Sequence, residues 1–193
     1  MKKNNSLQLA IENSNTCKLS LLKIQKNIKI AIKAIYSSLA NRGKVILCGN
    51  GGSAADAQHL AAELLIRLNS EVDRKSLPAI ALGLDTSTLT ACGNDYSFDK
   101  IFARPFSALA NKKDILIAIS TSGNSRNIIE VLKLARKKKI KTIGFLGLGG
   151  GKAKKLCNIK LMVNSKNTAT IQEAHIFLGH YILGQVEKLV IGR

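Results

Sequence analysis

Residues Asp114 to Ala135 read DILIAISTSGNSRNIIEVLKLA. The run after Asp114 is almost unbroken in its apolar character, as a strand buried on both faces requires. It stops at Ser120-Thr121-Ser122-Gly123-Asn124-Ser125, and an amphipathic helix begins at once. Four hydroxyls and several free amides thus gather at a helix N-terminus beyond the carboxyl end of a strand. Open α/β sheets bind ligands at that place, where phosphate finds helix dipole, amides and hydroxyl donors together. A plain capped loop needs one hydroxyl rather than four, so the segment reads as a phosphate or phosphosugar site.

The same alternation repeats on either side. Apolar runs begin at Val45 (VILCG), Ala79 (AIALGL), Lys141 (KTIGFLGL) and Ile159 (IKLMVN), with helical stretches expected over 53–68, 99–110 and 125–138. Strand–helix–strand alternation of this kind predicts an α/β fold, a parallel sheet with helices on both faces. Leu21, Ile24, Ile28, Ile32, Ile35 and Leu39 recur at three- and four-residue steps and predict an amino-terminal helix. The stretch 170–189 is apolar on more than one side, with Ile171, Ile176, Phe177, Leu178, Ile182, Leu183, Val186 and Leu189. A terminal helix of a small domain should show water one polar face. This one barely does, so it is expected to pack against another subunit. No repeat, linker or low-complexity tract divides the 193 residues, and a single domain is expected over 1–193.

Composition narrows the function classes. No apolar run is long enough to cross a membrane, and the amino terminus, MKKNNSLQLAIENSN, has no apolar core of a secretory signal. Cys17, Cys48, Cys92 and Cys157 are scattered without CxxC spacing, which excludes a zinc-finger pattern and suits a reducing cytosol. The formal net charge of +18 is the one extreme number. An electrostatic footprint for nucleic acid is one reading of it. Lysine nearly everywhere in place of arginine, with abundant Asn and Ile, points instead to compositional bias placing lysines on solvated faces. The basic residues are dispersed, with short clusters at Arg136 to Lys139 and Lys152 to Lys155. Aromatics are only 4% of the chain, so there is little to stack on bases.

Two further segments carry polar groups in telling places. In CGNGGSAADAQHLAAELLIR (Cys48 to Arg67) a strand runs through Gly49-Asn50-Gly51-Gly52-Ser53 into a helix. The glycines allow a tight turn and exposed amides, and Ser53 is placed to cap the helix. The spacing is neither GxGxxG nor a P-loop. His59 and Glu63 follow, four apart and therefore on one helix face. Such a pair can share a divalent metal or act as acid and base, but by spacing alone it reads first as an ordinary surface pair. In TATIQEAHIFLGH (Thr168 to His180), His175 reads as a core residue, while Gln172 and His180 put polar groups into an otherwise apolar helix.

Together the motifs GNGGSAADAQH, GNDYSFDKIF, STSGNS and IQEAHIFLGH, in that order over nearly the whole chain, resemble the phosphoheptose isomerases of the sugar isomerase (SIS) domain family. The resemblance implies a five-stranded parallel sheet in a flavodoxin-like, three-layer arrangement with extra amino- and carboxy-terminal helices, the first an oligomerisation helix at about 15–40. It implies a homotetramer with active sites at subunit interfaces. The implied reaction converts sedoheptulose 7-phosphate to D-glycero-D-manno-heptose 7-phosphate, the first step toward ADP-heptose for lipopolysaccharide core.

By position, the resemblance makes His59, Glu63, Gln172 and His180 candidate ligands of one zinc ion per subunit. Asn50, Gly51, Gly52, Ser53, Glu63, Asn94, Asp95, Ser120, Thr121, Ser122, Ser125 and Gln172 become candidate substrate contacts, with Arg67 helping to position substrate. Glu63 and His180 become the acid/base pair. A ketose–aldose isomerase moves a proton between adjacent carbons through an enediol, which needs one group to take the proton and another to protonate oxygen. A divalent metal could polarise the carbonyl, and no nucleotide or redox cofactor is required. Thr168-Ala169-Thr170 departs from relatives that carry Asp or Arg near the last two positions, so no catalytic role falls there. Gln172 and His180 lie about 12 Å apart along a helix, so either two subunits share the site or Gln172 mainly touches substrate; the shared site is the expectation. The main alternative is a non-catalytic SIS scaffold that binds the bacterial replication initiator protein. That scaffold lacks the counterparts of Glu63 and His180, which this chain keeps. A different phosphosugar isomerase or a sugar-phosphate sensor is a further alternative, against which the two His-containing pairs count.

Overall fold

The computed structural model describes residues 6–83 and 85–192. The MKKNN stretch that opens the amino-terminal reading, Leu84 at the end of the expected second strand, and Arg193 lie outside the described residues. Two helices, α1 (Ser6–Ser20) and α2 (Gln25–Ala40), are joined by a 3-10 turn at Leu21–Ile24. Then follow β1 (Val45–Gly49), α3 (Gly52–Leu65), β2 (Ala79–Ala81), α4 (Thr86–Asp95), α5 (Ala103–Leu109), β3 (Ile115–Ser120), α6 (Arg126–Lys137), β4 (Lys141–Leu146), β5 (Ile159–Met162) and α7 (Thr168–Ile191).

All strand pairs are parallel and the order is β2-β1-β3-β4-β5, the doubly wound flavodoxin-like order. Successive strand residues face opposite sides, so the apolar runs feed two cores. Val45, Leu47, Ile117, Ile119 and Phe145 pack with α2, α3 and α7, whereas Ile46, Cys48, Leu116 and Ala118 pack with α4, α5 and α6. Three layers result. The helices form for the expected reason: α6 buries Ile128, Val131, Leu132 and Ala135 on one stripe, and α2 buries Ile28, Ala31, Ile32 and Ile35. Each of the buried Ile, Val and Leu side chains stabilises the fold by roughly 1.5–3 kcal/mol, the alanines by less.

Several boundaries differ from the sequence reading. The amino-terminal helix is two helices with a 3-10 turn between them. The stretch 99–110 is a 3-10 turn at Phe98–Lys100 followed by a short α5. Helix α4 was not expected; its start is fixed by Asp85, whose side chain accepts from Thr88 N at 2.6 Å. All four cysteines are buried free thiols, and burial pushes Cys157 up to about 12. No helix among the described residues is long and apolar enough to cross a membrane.

Candidate active site

Helices α3 and α7 lie side by side and run in the same direction. A Cβ on Gly52, at the start of α3, would fall 2.3 Å from Gln172 Nε2, and one on Gly179 would strike Leu60. Glycine at both points lets the helices approach. Seven residues beyond Gly52, about 10 Å along the axis, His59 meets His180, with Nε2 atoms 2.8 Å apart and rings edge-on at 71°. His59 Nε2 also lies 3.2 Å from Glu63 Oε1. The His59/Glu63 spacing is therefore more than a surface pair, because a second ring, from a distant helix, joins it. His59 is exposed, and Glu63 and His180 are half-buried.

One atom from each of these three side chains lies within 4.8 Å of the others. Ligands of a tetrahedral zinc, bonded at about 2.0–2.1 Å, stand about 3.3 Å from one another. Two imidazole nitrogens and a carboxylate oxygen so placed fit a divalent metal, and three protein ligands leave a position for substrate. Otherwise one of the two imidazole nitrogens must carry a proton and donate to the other. One turn before His59, Asp56 Oδ2 is buried without a hydrogen-bond partner among the described residues, and burial raises the pKa of this carboxyl above its ordinary value.

The phosphate-type loop has the hydroxyls that its sequence promised. Ser120 Oγ accepts from Gly123 N at 3.1 Å and lies 3.4 Å from Ser125 Oγ; Ser122 Oγ accepts from Asn124 N. Ser125 occupies the N-cap position of α6 but makes no side-chain cap bond, so its hydroxyl is not spent on the helix. Thr121 and Ser122 line a cavity of about 290 Å³ with Leu148, Ser165, Lys166, Thr168 and Ile171.

The glycine-rich loop is tied to this one. Asn50 and Asn127 exchange amide hydrogen bonds of 2.9 and 2.8 Å, and Asn127 also accepts from Ile128 N. Ser53 does not cap α3; Gly51 does, at φ 56°, where a side chain would be strained, and Ser53 is buried in the first turn with its N–H donating to Asn50 O. Arg67 stands exposed just past α3. Asn94 and Asp95 end α4, exposed, with Asn94 Nδ2 donating to Asp95 Oδ1. Nothing described ties these three to the His59 cluster.

A second subunit is not needed to bring three of the four candidate ligands together. His59, Glu63 and His180 converge within one chain, while Gln172 is seated by Gly52, at the glycine-rich loop. Asn127 was missed, although it signals itself: it occupies the 127/131/135 stripe of α6, where a polar residue only 2% exposed needs a reason. Arg74 and Glu187, a buried ion pair joining the end of α3 to α7, were missed as well.

The sugar isomerase (SIS) domain family matches residues 14–147, which carry the first four strands of the flavodoxin-like sheet and the hydroxyl-rich loop at the carboxyl end of β3. The phosphoheptose isomerase of Campylobacter concisus is 51% identical over 166 residues, 86% of this chain and 87% of that protein. That of Aliarcobacter butzleri is 54% identical over 159 residues, 82% and 83% of the two chains. The structure of a phosphoheptose isomerase from Francisella tularensis superposes with a TM-score of 0.90 at 38% identity, covering 97% of this chain and 100% of that one. The chain belongs to the SIS domain family and, within it, to the phosphoheptose isomerases.

Proposed function

We propose that the chain isomerises sedoheptulose 7-phosphate to D-glycero-D-manno-heptose 7-phosphate by proton transfer through an enediol, the first step toward ADP-heptose for lipopolysaccharide core. The observation that carries this reading is the convergence of His59, Glu63 and His180 from two helices of one chain. A scaffold that only binds a partner has no need of two rings and a carboxylate so placed, and function is argued from the site rather than the fold.

The loop Ser120, Thr121, Ser122 and Ser125 holds the phosphate at the N-terminus of α6. Asn50, Gly51, Gly52 and Ser53 hold the sugar, and Gln172, facing Gly52, touches substrate there. Glu63 and His180 form the acid/base pair: one takes the proton from the carbon beside the carbonyl while the other protonates oxygen. His59, Glu63 and His180 would hold a zinc ion, one per subunit, which when bound would polarise the carbonyl.

The protein acts in the cytoplasm as a homotetramer with its sites at subunit interfaces. In support, Phe177 and Tyr181 on α7 are nearly half exposed, and they line an apolar cavity of about 510 Å³ with Leu19 and Leu22. The segment 15–40 is thus proposed to serve oligomerisation as two helices. Arg67, Asn94 and Asp95, exposed in one chain, are the residues through which a neighbouring subunit completes a site. Incubation of the zinc-loaded protein with sedoheptulose 7-phosphate should yield the aldose, identified by NMR. A folded, metal-loaded protein that leaves the ketose unchanged overturns the proposal.

A further inference from the structure

The Arg74 and Glu187 side chains are 4% and 5% exposed, with Arg74 Nε 2.6 Å from Glu187 Oε1. Burying two charges is costly, and hydrophobic side chains could hold two helices together as well or better. What this pair does that hydrophobic side chains cannot is bond to specific backbone atoms. Arg74 Nη2 donates to the carbonyl of Glu63 at 2.8 Å, and Nη1 donates to the carbonyls of Leu64 and Lys75 at 3.0 and 3.1 Å. The Glu63 and Leu64 carbonyls belong to the last turn of α3, which has no further helix to bond them. Glu187 in turn accepts from the amides of Leu68 and Asn69, just past the same helix end.

Glu187 sits on α7, seven residues after His180 and so on nearly the same face, about 10 Å further along. One end of the ion pair therefore grips the backbone of Glu63, and the other is fixed on the helix that carries His180. We propose that Arg74 and Glu187 are positioning residues that set the axial register of α3 against α7, and thereby the separation of Glu63 from His180. Neither touches the reacting atoms. For its catalytic consequence this rests on the isomerase reading above; for its geometric consequence it does not.

The test uses the full chain with Arg74→Met and Glu187→Leu together, an exchange of a buried ion pair for apolar side chains that leaves no charge unpaired. Arg74→Lys, which keeps the charge but not the planar fork, is examined alongside. The expected result is a folded protein whose kcat falls at least tenfold while KM for the phosphosugar stays within threefold. Its zinc dissociation constant, read by chelator competition on stripped protein, should rise at least tenfold. A crystal structure of the double variant should show Glu63 and His180 moved apart beyond the 4.8 Å limit of the native cluster. An unchanged separation, or native kcat and zinc affinity in the double variant, overturns the proposal and leaves the pair merely structural. If the native protein does not turn over this substrate, the isomerase reading fails on its own, and the separation still decides the role of the pair.

Discussion

His175 is fully buried, tilted against Phe145 at 5.9 Å, with neither ring nitrogen hydrogen-bonded among the described residues. Burial pushes its pKa down to about 4, and the nearby Leu146 carbonyl only partly opposes this. In the unfolded chain the ring titrates near its ordinary value of about 6.5. Between those values the unfolded state binds a proton that the native state refuses. Stability from this group is therefore complete above pH 6.5, declines as pH falls toward 4, and levels off below. Integrated over that window the loss is about 3 kcal/mol. Urea unfolding at pH 7 and pH 4.5 should show a steeper loss for the native protein than for His175→Leu; equal slopes would contradict the assignment. At this scale the sequence was partly legible. His59 and Glu63 declare their shared face by spacing, and His175 declares a core position by its apolar neighbours. Asn127, Arg74 and Glu187 do not declare their partners: Asn50 lies 77 residues from Asn127, and Arg74 and Glu187 lie 113 residues apart.

The pairing of α3 with α7 creates the cluster, and it depends on small residues at the crossing. Gly179 is buried, and a Cβ there would lie 2.5 Å from a methyl of Leu60, itself only 1% exposed. Alanine would gain about 1 kcal/mol of helix propensity, but overpacking a filled core costs about 1–3 kcal/mol. Gly179→Ala should therefore be net destabilising, or close to neutral with a displaced α3, and should weaken zinc binding because His59 adjoins Leu60. Chemical denaturation with a zinc titration checks both; a stabilised variant with native zinc affinity would contradict the packing argument. The buried strands and strongly striped helices were legible because apolar periodicity follows directly from burial. Helix α4, built from TSTLTACGND, was not: β-branched and small polar residues give it little stripe, and only Cys92 is buried. The contact between α3 and α7 joins segments about 120 residues apart, and no local pattern reports it.

For the whole molecule, the order β2-β1-β3-β4-β5 puts the glycine-rich loop after β1 and the hydroxyl-rich loop after β3 side by side, because those strands are neighbours. This is the switch point at which open sheets bind ligands, and the Asn50–Asn127 pair locks the two loops together. Near-continuous apolar runs separated by helical stretches told of a parallel sheet; the strand order came from resemblance, since nothing in β2, three residues long, fixes its place at the edge. Of the residues behind the +18 charge, Lys166 lines the cavity that Thr121 and Ser122 share, while the cluster itself is two imidazole rings and a carboxylate. The claim on which everything rests is that this cluster is the catalytic centre, and Glu63→Gln tests it most directly. The substitution keeps the shape and removes the carboxylate. Turnover of sedoheptulose 7-phosphate should fall at least a thousandfold, within the range that a positioned general base contributes of about 10²–10⁴, with folding and assembly unchanged. A Glu63→Gln protein that still isomerises the substrate within a few-fold of the native rate would place the chemistry elsewhere.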